Sequence, residues 1–420
     1  MNDVFGTEAI GSILFLIRRF VQASFLASPL PSVALPCLTD RRAASRSTFA
    51  CVRASQGIGG IIPVMELDGL VWPDCRSREA SMTIARTGWI ATLLLGLVMA
   101  SGVQPSPAAA DDAWPVKNKL IGKDGGKSKD VSGIACTTAD GFPRSCLVID
   151  DNLQGAQFIK LTDGKLVAGS PVKLINNTFN GKALELDGEG VAFSKRQYYV
   201  IGSHGHPRDK DHKLDPKKDA DKIRARIAAS SQIVRFRTTG ADGNAPGIER
   251  TGQLREVIAA EPALAEFMDI RLEKNGLTIE GVAIKDDRTL LAGFRGPVLN
   301  DNRAVVLSVE IDALFGDRKS TTHRLFRLPL GDNRGVRDLA AFGDRILILA
   351  GPGADGPGAY AIYSWDGASE TVRLLKELPF DPKRKPEGLL PLGATSAGLR
   401  VLIVFDSDKE GTPTPIEIPR

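Results

Sequence analysis

Apolar residues in this chain fall into short runs that recur, each opened by the same phrase. Ser132-Gly133-Ile134-Ala135 returns as Glu189-Gly190-Val191-Ala192 and Glu280-Gly281-Val282-Ala283. Looser copies stand at Arg337-Asp338-Leu339-Ala340 and Glu387-Gly388-Leu389-Leu390. Most copies lie roughly 50–60 residues apart, the period of a blade-by-blade β-architecture. A second apolar run follows each copy, at residues 146–150, 198–202, 289–293, 345–349 and 400–404. Runs of this length without polar interruption suit strands buried on both faces. Asp286-Asp287 and Gly343-Asp344 supply turns between the two strands.

A third strand is predicted at 157–161, 232–236, 304–308 and 359–363, and a fourth at 172–174, 323–328 and 372–375. Four antiparallel strands per unit, repeated radially, predict an all-β fold, a β-propeller. Five repeats are visible, which allows five or six blades. The last copy runs out near Ile416-Glu417-Ile418, and Lys117 to Ile121 is expected to complete that blade and close the ring. The gap of about 90 residues between the second and third copies is filled in part by a charged, partly helical insertion at 206–229. Ile223 and Ile227 stand there at helical spacing, and Pro262 to Phe267 adds a short helical turn.

Composition changes the picture mainly at the N-terminus. From Met82 the chain has Arg86, an apolar run from Trp89 to Ala100, and Ala108-Ala109-Ala110. This is the pattern of a secretory signal peptide over 82–110, cleaved after Ala110. The run is short for a bilayer span, so no transmembrane segment is expected in the mature form, which would be periplasmic or secreted. Residues 1–81, with Cys37, Cys51 and Cys75, read as an upstream translation artefact or a disordered extension. The propeller domain is then 111–420, with two cysteines, Cys136 and Cys146. In an oxidising compartment these are expected to pair across one hairpin. A net charge of +4 over 420 residues and 6% aromatics argue against a nucleic-acid partner.

Spacing carries the candidate chemistry. Glu189 to His204, Glu280 to Arg295 and Arg337 to Pro352 are each fifteen positions apart, which predicts cross-strand neighbours. By the same geometry Ser132 is expected opposite Asp150, and Glu387 opposite Asp406. In a propeller the first strand of each blade lines the central channel. Glu189, Glu280, Glu387, Arg337, Asp338, Asp150, Asp151, His204, Arg295, Asp406 and Asp408 are therefore expected around one mouth.

Gly202-Ser203-His204, Gly293-Phe294-Arg295-Gly296-Pro297, Gly335-Val336-Arg337-Asp338-Leu339 and Ala350-Gly351-Pro352 resemble the signature blocks of the bacterial domain-of-unknown-function 3616 family. The resemblance covers roughly residues 130–390, and the order of the blocks agrees. It implies no activity and no catalytic residues. A more distant resemblance, on fold and the Glu-Gly motif alone, is to the esterase-like phytase propellers.

Glu189, Glu280 and Glu387 share one repeat position and could converge on a metal, with Ca²⁺ the ion that such oxygen ligands suit. A metal there would polarise a phosphate or ester. A structural reading of the same glutamates has each one binding backbone amides of the next blade and locking the ring. Glu280 and Arg295 are expected to form a salt bridge whose guanidinium can also face an anion. His204, oriented by Glu189, is the general-base candidate, which makes His204, Glu189 and Arg295 the catalytic candidates. Glu280, Arg337, Asp338, Glu387 and Asp406 are the binding candidates. His204, His206 and His212 offer a weaker zinc pattern, and Ser203, adjacent to His204 on a strand, points to the opposite face. The sequence thus predicts an exported propeller that binds a small or phosphorylated ligand at a polar channel mouth, with metal-assisted phosphoester or ester hydrolysis. The competing class is a non-catalytic propeller that binds an envelope protein or a glycan.

Overall fold

A computed structural model describes residues 112–209, 213–238, 245–317 and 319–419. Residues 1–81, the segment 82–110 expected to be a signal peptide, and His212 lie outside them. The described chain forms five larger sheets in sequence, the blades of a propeller, and a small two-stranded sheet of Thr178–Phe179 and Lys182–Ala183 between blades 1 and 2. Blade 1 holds Val131–Cys136, Arg144–Asp150, Gly155–Thr162 and Lys165–Lys173. Blade 2 holds Gly188–Ser194, Gln197–Gly202, Ile233–Arg237 and Glu249–Thr251. Blade 3 holds Thr278–Lys285, Thr289–Gly296, Ala304–Glu310 and Arg324–Leu328. Blade 4 holds Arg334–Phe342, Arg345–Pro352, Ala361–Trp365 and Val372–Glu377. Blade 5 has three strands, Lys385–Ala394, Leu399–Asp406 and Thr414–Ile418.

The apolar second strands are buried on both faces because each lies between two interfaces. Leu347 and Leu349 pack toward blade 5, while Ile348 and Ala350 pack toward blade 3. Likewise Leu147 and Ile149 face blade 2, and Val148 faces blade 5. Side chains alternate across a strand, so a run apolar at every position feeds two cores at once. Five apolar clusters result, one at each blade interface, including the one between blades 5 and 1 that closes the ring.

The closing piece differs from expectation. Val116–Lys117 pairs in parallel with Leu166 and Val167 on the outer edge of blade 1, not with blade 5. Blade 5 stays three-stranded, and the N-terminal segment ties it to blade 1 through loops. Trp114 N donates to Pro413 O at 2.6 Å, and Glu410 N donates to Ser128 O at 2.8 Å. Arg144 adds to the seam by donating to Pro391 O at 2.8 Å and to Leu392 O.

The insertion after blade 2's second strand carries a helix at Ala220–Ser230, and Pro262–Ala265 forms the expected short helix after a longer one at Gln253–Ala260. Cys136 and Cys146 are paired residues of one hairpin and form a disulfide. Among the described residues no helix is long and apolar enough to cross a membrane.

Candidate functional site at the channel mouth

Every innermost strand begins with a β-bulge, and the bulge falls at the same repeat position. In blade 1 Val131 pairs with Asp150 and Gly133 with Ile149, which leaves Ser132 over. Glu189, Glu280, Arg337 and Glu387 are the extra residues of blades 2 to 5. A bulged residue is released from the ladder and can be re-aimed. Here the released side chains meet across blades.

The residue after each bulge explains the repeated glycine. A Cβ on Gly133 would stand 3.1 Å from Glu189 O, and one on Gly190 would stand 3.1 Å from Glu280 O. A Cβ on Gly281 would lie 2.9 Å from Leu339 N, and Gly388 comes close to Gly133 in turn. The inner strands therefore touch backbone to backbone around the ring. Blade 4 departs from this with Asp338. Its Oδ1 accepts from Leu339 N at 2.8 Å, and its Oδ2 accepts from Leu389 N at 2.7 Å. Asp338 was expected at the binding mouth, but both oxygens are committed to fastening blade 5 to blade 4. The fastening role proposed for the glutamates thus belongs to this aspartate.

The bulges also overturn the fifteen-residue pairing. Gly188 faces Gly202, Arg334 faces Pro352, Lys385 faces Asp406 and Val131 faces Asp150. An inserted residue shifts the register, so equal spacing does not make these pairs opposite. Glu280 and Arg295 meet nonetheless, because Arg295 is itself displaced by a second irregularity in blade 3.

One half of the mouth is a network of two arginines and three carboxylates. Arg295 Nη1 lies 2.9 Å from Glu280 Oε1, and Arg337 Nε lies 2.9 Å from Glu280 Oε2. Arg337 Nη2 reaches Glu387 Oε1, and Arg295 Nη2 reaches Asp355 Oδ1 at 3.0 Å. Burial would depress the Arg337 guanidinium, but Glu280 and Glu387 hold it firmly protonated. Burial pushes Glu387 up to about 8, against the pull of Arg337. Tyr360 lies over Gly351, where a Cβ would meet its ring at 2.3 Å.

The other half is acidic. Carboxylate oxygens of Asp151, Asp187 and Glu189 lie within 4.8 Å of one another, as do those of Asp130, Asp150 and Asp151. Glu189 is 5% exposed and, among the described residues, accepts no hydrogen bond and makes no ion pair. Burial, reinforced by the Glu280, Asp187 and Asp151 carboxylates, raises Glu189 well above the usual range. Burial and the Asp187 charge push Asp151 up to about 10, and burial raises Asp150 to about 6. Asp187 is raised by burial, although Ser203 donates to it. Arg208, in the loop after blade 2's second strand, is kept protonated by Glu189 and Glu280 despite the opposing effect of burial. Among the described residues, no carboxylate lies within ion-pair distance of Arg208.

Several expectations are corrected here. The metal set Glu189, Glu280 and Glu387 is divided, with the last two taken by arginines and Glu189 joining Asp151 and Asp187. His204 does not pair with Glu189. Its Nδ1 is 2.8 Å from Gly202 O, the charge acting on it is Arg255, and its Nε2 has no partner. Burial lowers His204 to about 4. His206 lies beside the Pro207 carbonyl, and neither it nor His204 joins an acidic cluster. Asp406 is bound by Lys385 at 3.0 Å and Asp408 by Arg384 at 3.2 Å.

Asp130, Asp187 and Arg208 escaped the sequence reading. A signal for two of them was present, since Asp130 and Asp187 each stand two residues before a bulge.

Residues 237–413 match the model of a family described as "Protein of unknown function (DUF3616)". The match covers 177 of the 420 residues. It takes in blades 3 and 4 and most of blade 5, so Arg295, Arg337 and Asp338 lie inside it. Gly202-Ser203-His204 and all five acids of the acidic half lie outside it.

No curated protein matches the chain. Among solved structures it is similar to the SapL1 lectin in complex with alpha methyl fucoside, at 10% identity and a TM-score of 0.31, over 66% of this chain and 73% of that one. It is similar to Trypanosoma rangeli sialidase in complex with the inhibitor DANA, at 10% identity and a TM-score of 0.34, over 69% and 47% of the two chains. A Bombyx mori GH32 beta-fructofuranosidase matches at 9% identity and a TM-score of 0.36, over 74% and 61%. Likeness at this level assigns neither activity nor ligand to this chain.

Proposed function

We propose that the channel mouth is a cation-assisted ligand site. Asp151, Asp187 and Glu189 would hold a hard divalent cation, Ca²⁺ being the ion their oxygen chemistry suits. Arg208, kept protonated by Glu189 and Glu280, would receive the anionic part of a small ligand. The observation that carries the reading is Glu189, a side chain only 5% exposed whose carboxylate lies within 4.8 Å of those of Asp151 and Asp187. Ionised carboxylates are strongly disfavoured in such surroundings unless a cation joins them.

A bound cation supplies Lewis-acid polarisation of a phosphoryl or carbonyl oxygen. With water as the second reactant, a phosphoester or carboxylic ester held there would be cleaved to an acid and an alcohol. The test is a phosphatase and esterase substrate panel with and without Ca²⁺, on the full chain and on Glu189→Gln. Ca²⁺-dependent turnover lost in Glu189→Gln is expected. Ca²⁺ binding without turnover on any substrate rejects hydrolysis and leaves ligand binding.

A second reading, a non-catalytic propeller that binds a glycan or an envelope protein, is favoured by one observation. His204, the expected general base, is turned to Gly202 O and Arg255, away from the acids. Export to the periplasm or beyond is part of both readings, and the disulfide is compatible with it.

A further inference from the structure

We propose that the acidic half of the mouth holds two divalent cations bridged by Asp151. This rests on the cation reading above and adds a second ion to it. The two groups of carboxylates, Asp151 with Asp187 and Glu189, and Asp151 with Asp130 and Asp150, have Asp151 in common. An ionised carboxylate has two oxygens and about four lone-pair directions, enough to serve an ion on either side. Paired ions about 3.5–4 Å apart are a recurring arrangement for displacement at ester and phosphoryl centres.

Charge favours two ions over one. Every carboxylate of the arginine half has an ion-pair partner: Glu280 lies between Arg295 and Arg337, Glu387 meets Arg337, and Asp355 meets Arg295. Among the described residues the five acids of the other half have no Lys or Arg within 4.0 Å. With all five ionised, one divalent ion would leave three negative charges uncompensated, and two ions would leave one.

Two buried side chains at bulge positions lack a protein partner among the described residues. Glu189, 5% exposed and without a donor, faces the first position. The Ser132 hydroxyl, 1% exposed and without a partner, occupies the bulge of blade 1, the blade that supplies Asp130, Asp150 and Asp151. A buried hydroxyl left unbonded is costly, and a cation with its bound water beside this bulge would supply the bond.

The test strips the full chain with a chelator, titrates it with Mn²⁺ and Ca²⁺ by calorimetry, and records the Mn²⁺ electron paramagnetic resonance spectrum. Two ions per chain with exchange-coupled Mn²⁺ are expected. Asp130→Asn and Glu189→Gln should each reduce the stoichiometry to one and abolish the coupling. One ion in the unaltered protein overturns the second position and leaves the single-cation reading standing. Two uncoupled ions overturn the Asp151 bridge. No binding overturns this proposal and the cation reading together. The unaltered protein decides between these outcomes even where a variant fails to fold, which circular dichroism of each variant detects.

Discussion

Arg337 Nε lies 2.9 Å from Glu280 Oε2, so the bulge residue of blade 4 neutralises the bulge residue of blade 3. Both side chains are almost wholly buried, and the same guanidinium reaches Glu387 of blade 5. Three blades are therefore joined through one arginine at the centre of the ring.

Replacing that arginine should be severe. Arg337→Met strips Glu387 of its cation and leaves Glu280 with Arg295 alone. Removing one partner of a buried pair typically costs about 3–5 kcal/mol. A fall of that order in unfolding free energy is expected by urea titration. Arg337→Lys should recover only part of it, because an ammonium cannot serve two carboxylates as a fork does.

Asp338 offers a separable test of ring fastening. Asp338→Ala leaves the Leu339 and Leu389 amides without their acceptor, at about 1–3 kcal/mol for each buried group. Asp338→Asn keeps one acceptor oxygen and should lose less. Equal unfolding midpoints for the two variants would mean that the amides find other partners.

Gly281 should not tolerate a side chain. A Cβ there would sit 2.9 Å from Leu339 N, against backbone that belongs to the next blade. Gly281→Ala must push two inner strands apart, with an overpacking cost of about 1–3 kcal/mol. Gly164→Ala is the control for added bulk, because nothing lies within 4 Å of its Cβ. Gly164 has φ +84°, so the backbone strain of that control must be subtracted.

His204 sets an acid-side pH dependence. Its folded value is about 4, against roughly 6.5 in an unfolded chain. The unfolded state binds the extra proton between these values, so stability from this residue is complete above pH ~6.5 and lost as pH falls toward ~4, about 3 kcal/mol in all. The measurement is the difference in unfolding free energy between wild type and His204→Asn across that window. Asn suits the site because His204 has φ 56°. A difference independent of pH would show that the imidazole titrates normally in the fold.

The repeat, the strands and the disulfide were legible in the sequence because they are local. A run such as Ile346-Leu347-Ile348-Leu349 is apolar at every position, and only a strand between two cores needs that. Cys136 and Cys146 sit on two strands joined by one turn, so their pairing follows from hairpin geometry. The N-terminal strand was misplaced because Val116–Lys117 is too short to carry a pattern that selects its partner.

The sequence by itself determined that five phrases, Ser132, Glu189, Glu280, Arg337 and Glu387 at their heads, would converge on one channel. Tertiary structure alone decided what those residues do there. The bulges shift the register locally, so His204 leaves Glu189 and Asp150 pairs with Val131. Charges then sort by distance through space. Glu280 and Glu387 fall within reach of arginines, while Glu189 falls among aspartates from blades 1 and 2. Spacing along a chain fixes which strand a residue belongs to, but the partner of a buried charge is whichever opposite charge the packed ring brings within a few ångströms.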